Sequence, residues 1–227
     1  MSNNQKENKT ANVEGSDGRI ERHLGDMAAF LAMAGHTCRF SGLSYGKTGI
    51  AVFLLHYARQ VRDDFFRNTA LELLADEKKT VRFDSGLSYP SGLSGIGAGI
   101  AYLVRQGFLP VESDGITDEI DTIIAERVSK HKLYLSTQEL TGMQRYMTVR
   151  MENPLTAKQV FYEKTMRDIL SLLALHNSSP VMLDSLPELK LSPDDPMNLG
   201  LEGRAGKGLM LLTALNPQHG TFREIVL

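Results

Sequence analysis

The sequence predicts an all-α fold, and three observations carry that reading. Apolar residues recur three and four apart in every long segment. No segment alternates in the manner of a strand. A glycine-rich turn recurs at Gly42, Gly92 and, less regularly, Gly200, each time opening an apolar helix.

Residues 1–18 are rich in Asn, Lys, Glu and Ser and hold no apolar run, so they read as a disordered N-terminal tail and not as a signal peptide. The folded domain is expected over 19–227. Within it Ile20, Leu24, Met27, Ala28 and Leu31 share helical spacing, with Asp17 able to cap the helix and Gly35 able to end it. After Gly42, the positions Ile50, Phe53, Leu54, Tyr57 and Val61 place one apolar stripe on an otherwise mixed helix. A second helix, from about Phe65 to Lys78, runs back from it.

The stretch from Phe83 to Gly99 holds turn formers, and Ile100, Leu103 and Val104 then restart the helical period until Gly107 and Pro110 end it. Thr117, followed by Asp118 and Glu119, is expected to cap a helix whose inward face is Ile120, Ile123, Ile124, Arg127 and Val128. Ser136 and Glu139 have the spacing of a capping box, although Gly142 weakens that helix. Thr156 is expected to cap a segment through Val160, Phe161, Ile169, Leu170 and Leu173. A proline-broken loop over Asn177 to Asn198 leads to a last helix through Leu209, Leu212 and Leu215.

Composition narrows the function. The net charge of -2 offers no basic excess for a nucleic-acid partner. Cys38 is the only cysteine, which excludes an intrachain disulfide and a multi-cysteine metal cluster and fits a reducing, cytoplasmic setting. No apolar run is long enough to span a bilayer.

The two clearest turns align as Gly42-Leu43-Ser44-Tyr45-Gly46-Lys47-Thr48-Gly49-Ile50-Ala51 with Gly92-Leu93-Ser94-Gly95-Ile96-Gly97-Ala98-Gly99-Ile100-Ala101. A looser copy follows at Gly200-Leu201-Glu202-Gly203-Arg204-Ala205-Gly206-Lys207-Gly208-Leu209. The gap between the second and third copies is about twice that between the first and second, which predicts an intervening hairpin, Ser136 to His176, without the glycine signature. Glycines in such a turn let backbones approach closely, and a helix starting there offers unpaired N–H groups.

At these residues the chain resembles the lanthionine synthetase C-like family. The likeness is clearest over Ser41 to Arg59 and Ser91 to Leu109 and fainter over Leu199 to Leu215. It implies an α/α toroid of six-hairpin-like form, with a glycine motif at the start of each inner helix. The period yields about four hairpins, so the ring is incomplete, open or completed by a partner chain. The resemblance also implies a role in maturing a ribosomally made precursor peptide. Family members that cyclise such peptides bind zinc through two cysteines and a histidine, one pair lying in a Cys-His-Gly run. Here the corresponding run is Ser44-Tyr45-Gly46, and neither a hydroxyl nor a phenol is a good zinc ligand at neutral pH. Zinc, and with it cyclase activity, is therefore not expected.

The candidate mouth residues are His36, Cys38, Ser44, Tyr45 and Lys47, none assigned a catalytic role. His36 and Cys38 sit two apart before the first turn, but a metal would still want other ligands. Gly46-Lys47-Thr48 lacks the spacing and preceding strand of a phosphate loop. His23, His56, His131, His176 and His219 read as packing or surface residues. The pairs Asp63-Asp64, Asp118-Glu119 and Asp194-Asp195 leave open a carbohydrate-active toroid with two carboxylates. A non-catalytic scaffold, its glycine turns serving only packing, is the third reading.

Overall fold

Helical periodicity becomes helix throughout a computed structural model that describes residues 3–82, 85–111, 114–130, 134–152, 158–178, 192 and 195–226. The elements are α1 (Asn3–Thr37), α2 (Lys47–Val61), α3 (Asp64–Thr80), α4 (Leu93–Arg105), α5 (Asp114–Lys130), α6 (Thr137–Met151), α7 (Gln159–Ser178), α8 (Arg204–Leu215) and a 3-10 helix (Pro217–Ile225). Among the described residues there is no strand, and no helix is long and apolar enough to cross a membrane.

Several boundaries differ from expectation for identifiable reasons. α1 begins inside the segment expected as a tail, and Asp17 falls within the helix instead of capping it. Gly35 does not end α1. It lies in the last turn, where a Cβ would stand 2.8 Å from Leu73 Cδ1, so its role is close packing on α3. Thr117 is likewise inside α5 and buried, while Thr156 lies outside the described residues. Asp63 caps α3 by accepting from Phe65 N at 2.9 Å. The capping box holds: Ser136 Oγ accepts from Glu139 N at 3.2 Å and the Glu139 carboxylate accepts from Ser136 N at 3.1 Å.

α2 is not the one-sided helix its stripe suggested. Every residue from Thr48 to Ala58 is buried, because α3, α1, α8, α4 and the 3-10 helix surround it. The stripe overreaches only at its end, where Val61 is exposed. On α7 the buried residues are Tyr162, Thr165, Ile169 and Leu172, whereas Val160 and Leu170 of the expected helix are exposed.

α2 pairs with α3, α4 with α5 and α6 with α7 as helical hairpins. α8, α2, α4 and α6 are successive neighbours, α1 packs on α2, α3 and α8, and the 3-10 helix packs on α8 and α4. One apolar cluster joins all of these elements. This order brings the starts of α8, α2 and α4 side by side, and with them the glycine turns.

Candidate functional site

Glycine caps three helix starts. Gly46, Gly92 and Gly203 are the N-caps of α2, α4 and α8, and none uses a side chain to cap. A Cβ at Gly46 would overlap Phe40 O, one at Gly92 would overlap Gly86 O, and one at Gly203 would overlap Asn198 O. Three residues on, Gly49, Gly95 and Gly206 meet Leu43 O, Tyr89 O and Leu201 O in the same way. The chain before each helix therefore curls over its first turn. Its carbonyls accept the N–H groups that the sequence reading left free: Lys47 N donates to Phe40 O at 3.2 Å, Leu93 N to Gly86 O at 2.9 Å and Arg204 N to Asn198 O at 3.1 Å.

The turns also bond to one another. Leu201 N donates to Leu43 O at 3.1 Å and Glu202 N to Ser44 O at 2.9 Å, while Ser44 N donates to Pro90 O at 2.9 Å. The third turn thus rests on the first and the first on the second. Gly42, at φ +94, is pressed to the Ser91 backbone, where a Cβ would be 2.6 Å from Ser91 Cα. Gly200 packs on Ser44 O. Gly142 extends the row, since a Cβ there would lie 2.7 Å from Tyr89 N. The glycine expected to weaken α6 is the point at which α6 meets the second turn.

This geometry corrects the register of the repeat. Gly92 corresponds to Gly46 and not to Gly42, because both are N-caps with the same carbonyl contact six residues back. A nearer signal is Ser85-Gly86-Leu87-Ser88-Tyr89, which repeats Ser41-Gly42-Leu43-Ser44-Tyr45 residue for residue and lies two residues from the structural register. Gly97, Gly99 and Gly208 are not turn glycines. They lie within helices, where a Cβ would run into the Tyr146 ring at Gly97, stand 2.5 Å from Thr48 Cγ2 at Gly99, and meet Phe53 and Met27 Sδ, the latter at 2.9 Å, at Gly208, and they set interhelical distance.

The predicted mouth residues take different partners. His36 is exposed and lies 3.8 Å from the Glu72 carboxylate. The Cys38 thiol turns toward Phe40 O at 3.6 Å, and burial raises its pKa. Lys47 Nζ sits 3.6 Å from Asp76, and Ser44 and Tyr45 are buried in the turn itself. Beneath that turn Glu77 is 1% exposed, and burial pushes its carboxyl up to about 7 against the opposing pull of Lys47 and hydrogen bonds from Ser41 and the Gly42 backbone. Among the described residues no group of three or more His, Cys, Asp or Glu is placed to hold a metal ion. Of the acid pairs, Asp63 caps α3, Asp118 is 2.7 Å from Lys158 Nζ, Glu119 is exposed, and Asp195 accepts from Met197 N at 2.8 Å. Asp194 lies outside the described residues.

Two buried polar networks had no sequence signal. In the first, the Asp121 carboxylate accepts from Tyr146 OH at 2.6 Å, Tyr162 OH at 2.8 Å and Arg150 Nη2 at 3.0 Å. Asp121 is 1% and Arg150 0% exposed, so α5, α6 and α7 share one enclosed ion pair.

The second network joins residues read as unrelated. His56 Nδ1 is 2.9 Å from His219 Nδ1, and His56 Nε2 is 2.6 Å from Tyr102 OH. Tyr102 OH is 2.9 Å from Thr221 Oγ1, and His219 Nε2 is 3.1 Å from Gln60 Oε1. Gln60 Oε1 also accepts from Asn216 Nδ2 at 3.4 Å, which assigns it as an acceptor. His219 Nε2 then donates, its Nδ1 accepts from His56 Nδ1–H, and His56 Nε2 accepts from Tyr102. Both imidazoles are neutral in this chain. Burial, then His219 and Arg59, holds the pKa of His56 down at about 3. Against known proteins, the chain matches no family model, no curated protein and no solved structure.

Proposed function

We propose that the chain is a lanthionine synthetase C-like, α/α-toroid protein that binds a ribosomally made precursor peptide in the cytoplasm without cyclising it. The observation that supports this reading best is the row of glycine turns, bonded backbone to backbone at the starts of α8, α2 and α4. That row suits a ring of hairpins with α8, α2, α4 and α6 as the inner layer and α3, α5 and α7 outside. Four inner helices make an open or partner-completed ring.

The donor set at the first turn does not fit zinc. Ser44 and Tyr45 replace the family's ligands, and Cys38 faces a backbone carbonyl with its thiol pKa raised, the reverse of an activated thiolate. Peptide recognition without bond formation is the activity these residues support. The non-catalytic scaffold draws on the burial of Leu93 to Val104 and Thr48 to Ala58, which leaves no open face along either helix. A glycosidase reading gains nothing from its acids, since Asp63 and Asp118 are occupied as a helix cap and an ion-pair partner.

The test combines calorimetry with thiol counting. Purified protein is titrated with a synthetic cysteine-containing peptide that carries dehydroalanine and dehydrobutyrine residues. Thiol addition conserves mass, so alkylation of the peptide cysteines is the readout for ring formation. Saturable binding with all peptide thiols still alkylated is the expected result. Absence of binding overturns the peptide reading, and loss of thiols with one zinc per chain, abolished by Cys38→Ala, overturns the non-catalytic one.

A further inference from the structure

The 3-10 helix at Pro217–Ile225 is fastened to α2 and α4 along its length. His219 meets His56, Thr221 meets Tyr102, Glu224 is ion-paired with Arg105, and Tyr89 OH donates to Ile225 O at 2.9 Å. Phe222 and Ile225 are buried in the core they cover. The segment packs back on α8, from which it continues, and Phe222 and Ile225 anchor it apolarly; its side-chain hydrogen bonds and ion pair reach α2, α4 and the turn before α4.

We propose that this segment is an acid-released latch: protonation of the His56–His219 pair detaches Pro217–Ile225 from α2 and α4 while the helices beneath remain folded. In the closed state each ring nitrogen of the pair already has a partner. A further proton on His219 Nδ1 faces the His56 Nδ1–H donor, one on His56 Nε2 turns the Tyr102 hydroxyl round to accept and to donate to Thr221, and either places a cation in a site that is 1% exposed at His56 and 3% at His219. The charged groups facing the pair do not absorb that charge. α2 contributes Arg59, a cation that lowers both imidazoles. α4 contributes Tyr102 and Arg105. The latch contributes Glu224, which Arg105 engages, and Glu152 at the end of α6 lies 3.9 Å from the same guanidinium.

Burial and neighbouring cations thus hold both imidazoles below their ordinary range, His56 at about 3. A released imidazole titrates near 6.5, so lowering the pH to 5 favours release by about 30-fold through His56, held at about 3 in the closed state, and His219, lowered by burial and Arg59, acts in the same direction. The inference concerns the latch alone and does not depend on what the chain binds.

Hydrogen exchange of the intact chain, corrected for the intrinsic pH dependence of exchange, tests it. Between pH 8 and pH 5, amides of Pro217–Ile225 are expected to lose protection by about 30-fold, while those of α2 and α4 hold theirs. His56→Gln, which cannot titrate, is expected to remove most of that response. Glu224→Gln, which leaves both histidines in place, is expected to loosen the latch at both pH values and keep the ratio between them. Latch protection that is equal at the two pH values, or that falls in step with α2 and α4, overturns the proposal. So does a His56→Gln chain with the wild-type response, or a Glu224→Gln chain that has lost it.

Discussion

The two ends of α2 are held by opposite means. At its start, backbone binds backbone: the first glycine turn is clamped between its neighbours by main-chain hydrogen bonds, and beneath it lies the buried carboxyl of Glu77, raised to about 7. At its finish, side chain binds side chain: His56, lowered to about 3, is joined to His219 across 163 residues of sequence. Glycine spacing writes the first kind of contact into the chain locally. Nothing local writes the second.

The sharpest way to break that comparison is to add one methyl group at the glycine end. Gly95→Ala puts a Cβ into Tyr89 O, a backbone atom that cannot swing aside. We expect a loss of about 4 kcal/mol or outright failure to fold. Gly86→Ala, in the same turn but with nothing within 4 Å of its Cβ, is expected to change stability by less than about 0.5 kcal/mol. Urea unfolding of the pair reads the difference. Equal losses would mean that the turns tolerate side chains and that the contacts are not what fixes them.

Next in size is a side-chain network. Arg150→Met leaves the Asp121 carboxylate enclosed with only Tyr146 and Tyr162 as donors, and should cost about 3 kcal/mol. The double change Arg150→Met with Asp121→Asn should recover part of that, since the uncompensated charge is gone. Additive losses in the two steps would argue against a coupled pair.

These two networks mark the limit of what the sequence discloses. Helix type was legible almost everywhere, because apolar spacing and glycine punctuation are local. The capping box at Ser136 was legible for the same reason. The register of the repeat was only approached by the match of Ser85 to Tyr89 with Ser41 to Tyr45, which lies two residues from the structural one, and the longer glycine match at Gly92 to Gly99 lies four residues from the pairing of Gly49 with Gly95. Gly35 and Gly142 misled because helix propensity penalises glycine, whereas tertiary approach to Leu73 and Tyr89 requires it. His56, His219, Asp121 and Arg150 carried no signal, since the partners that give them meaning are set by how hairpins pack and not by any spacing along the chain.

pH separates the two ends of α2 by sign. Glu77 has a folded pKa near 7 against an ordinary 4.5, so its neutral form is favoured in the fold and stability falls as pH rises through that window. His56 has a folded pKa near 3 against 6.5, so stability falls as pH drops through its window. Between about 4.5 and 6.5 the two oppose and the wild-type profile should be shallow. Glu77→Gln removes the first contribution. Its advantage over wild type should grow with pH to about 3 kcal/mol at pH 8 and fade below pH 5, leaving a steeper acid limb. Denaturant titrations at pH 5, 6.5 and 8 measure this, and an advantage that does not grow with pH would remove Glu77 from the account.

The smallest effect tests whether glycine turns and side-chain caps are interchangeable ways to start a helix. α6 begins without a glycine turn, and its first N–H groups are met by Ser136 and Glu139, whereas α2, α4 and α8 begin with carbonyls of a curled backbone. Ser136→Ala removes the acceptor for Glu139 N and should cost about 1 kcal/mol. Ser136→Gly should cost only a few tenths of a kcal/mol by ordinary capping preference, because glycine satisfies an N-cap backbone without a side chain. At Gly46 the reverse exchange, Gly46→Ser, gains a capping hydroxyl but drives its Cβ into Phe40 O. A large loss there beside a small one at Ser136→Gly would show that close approach of backbone, and not capping, keeps glycine at the start of α2.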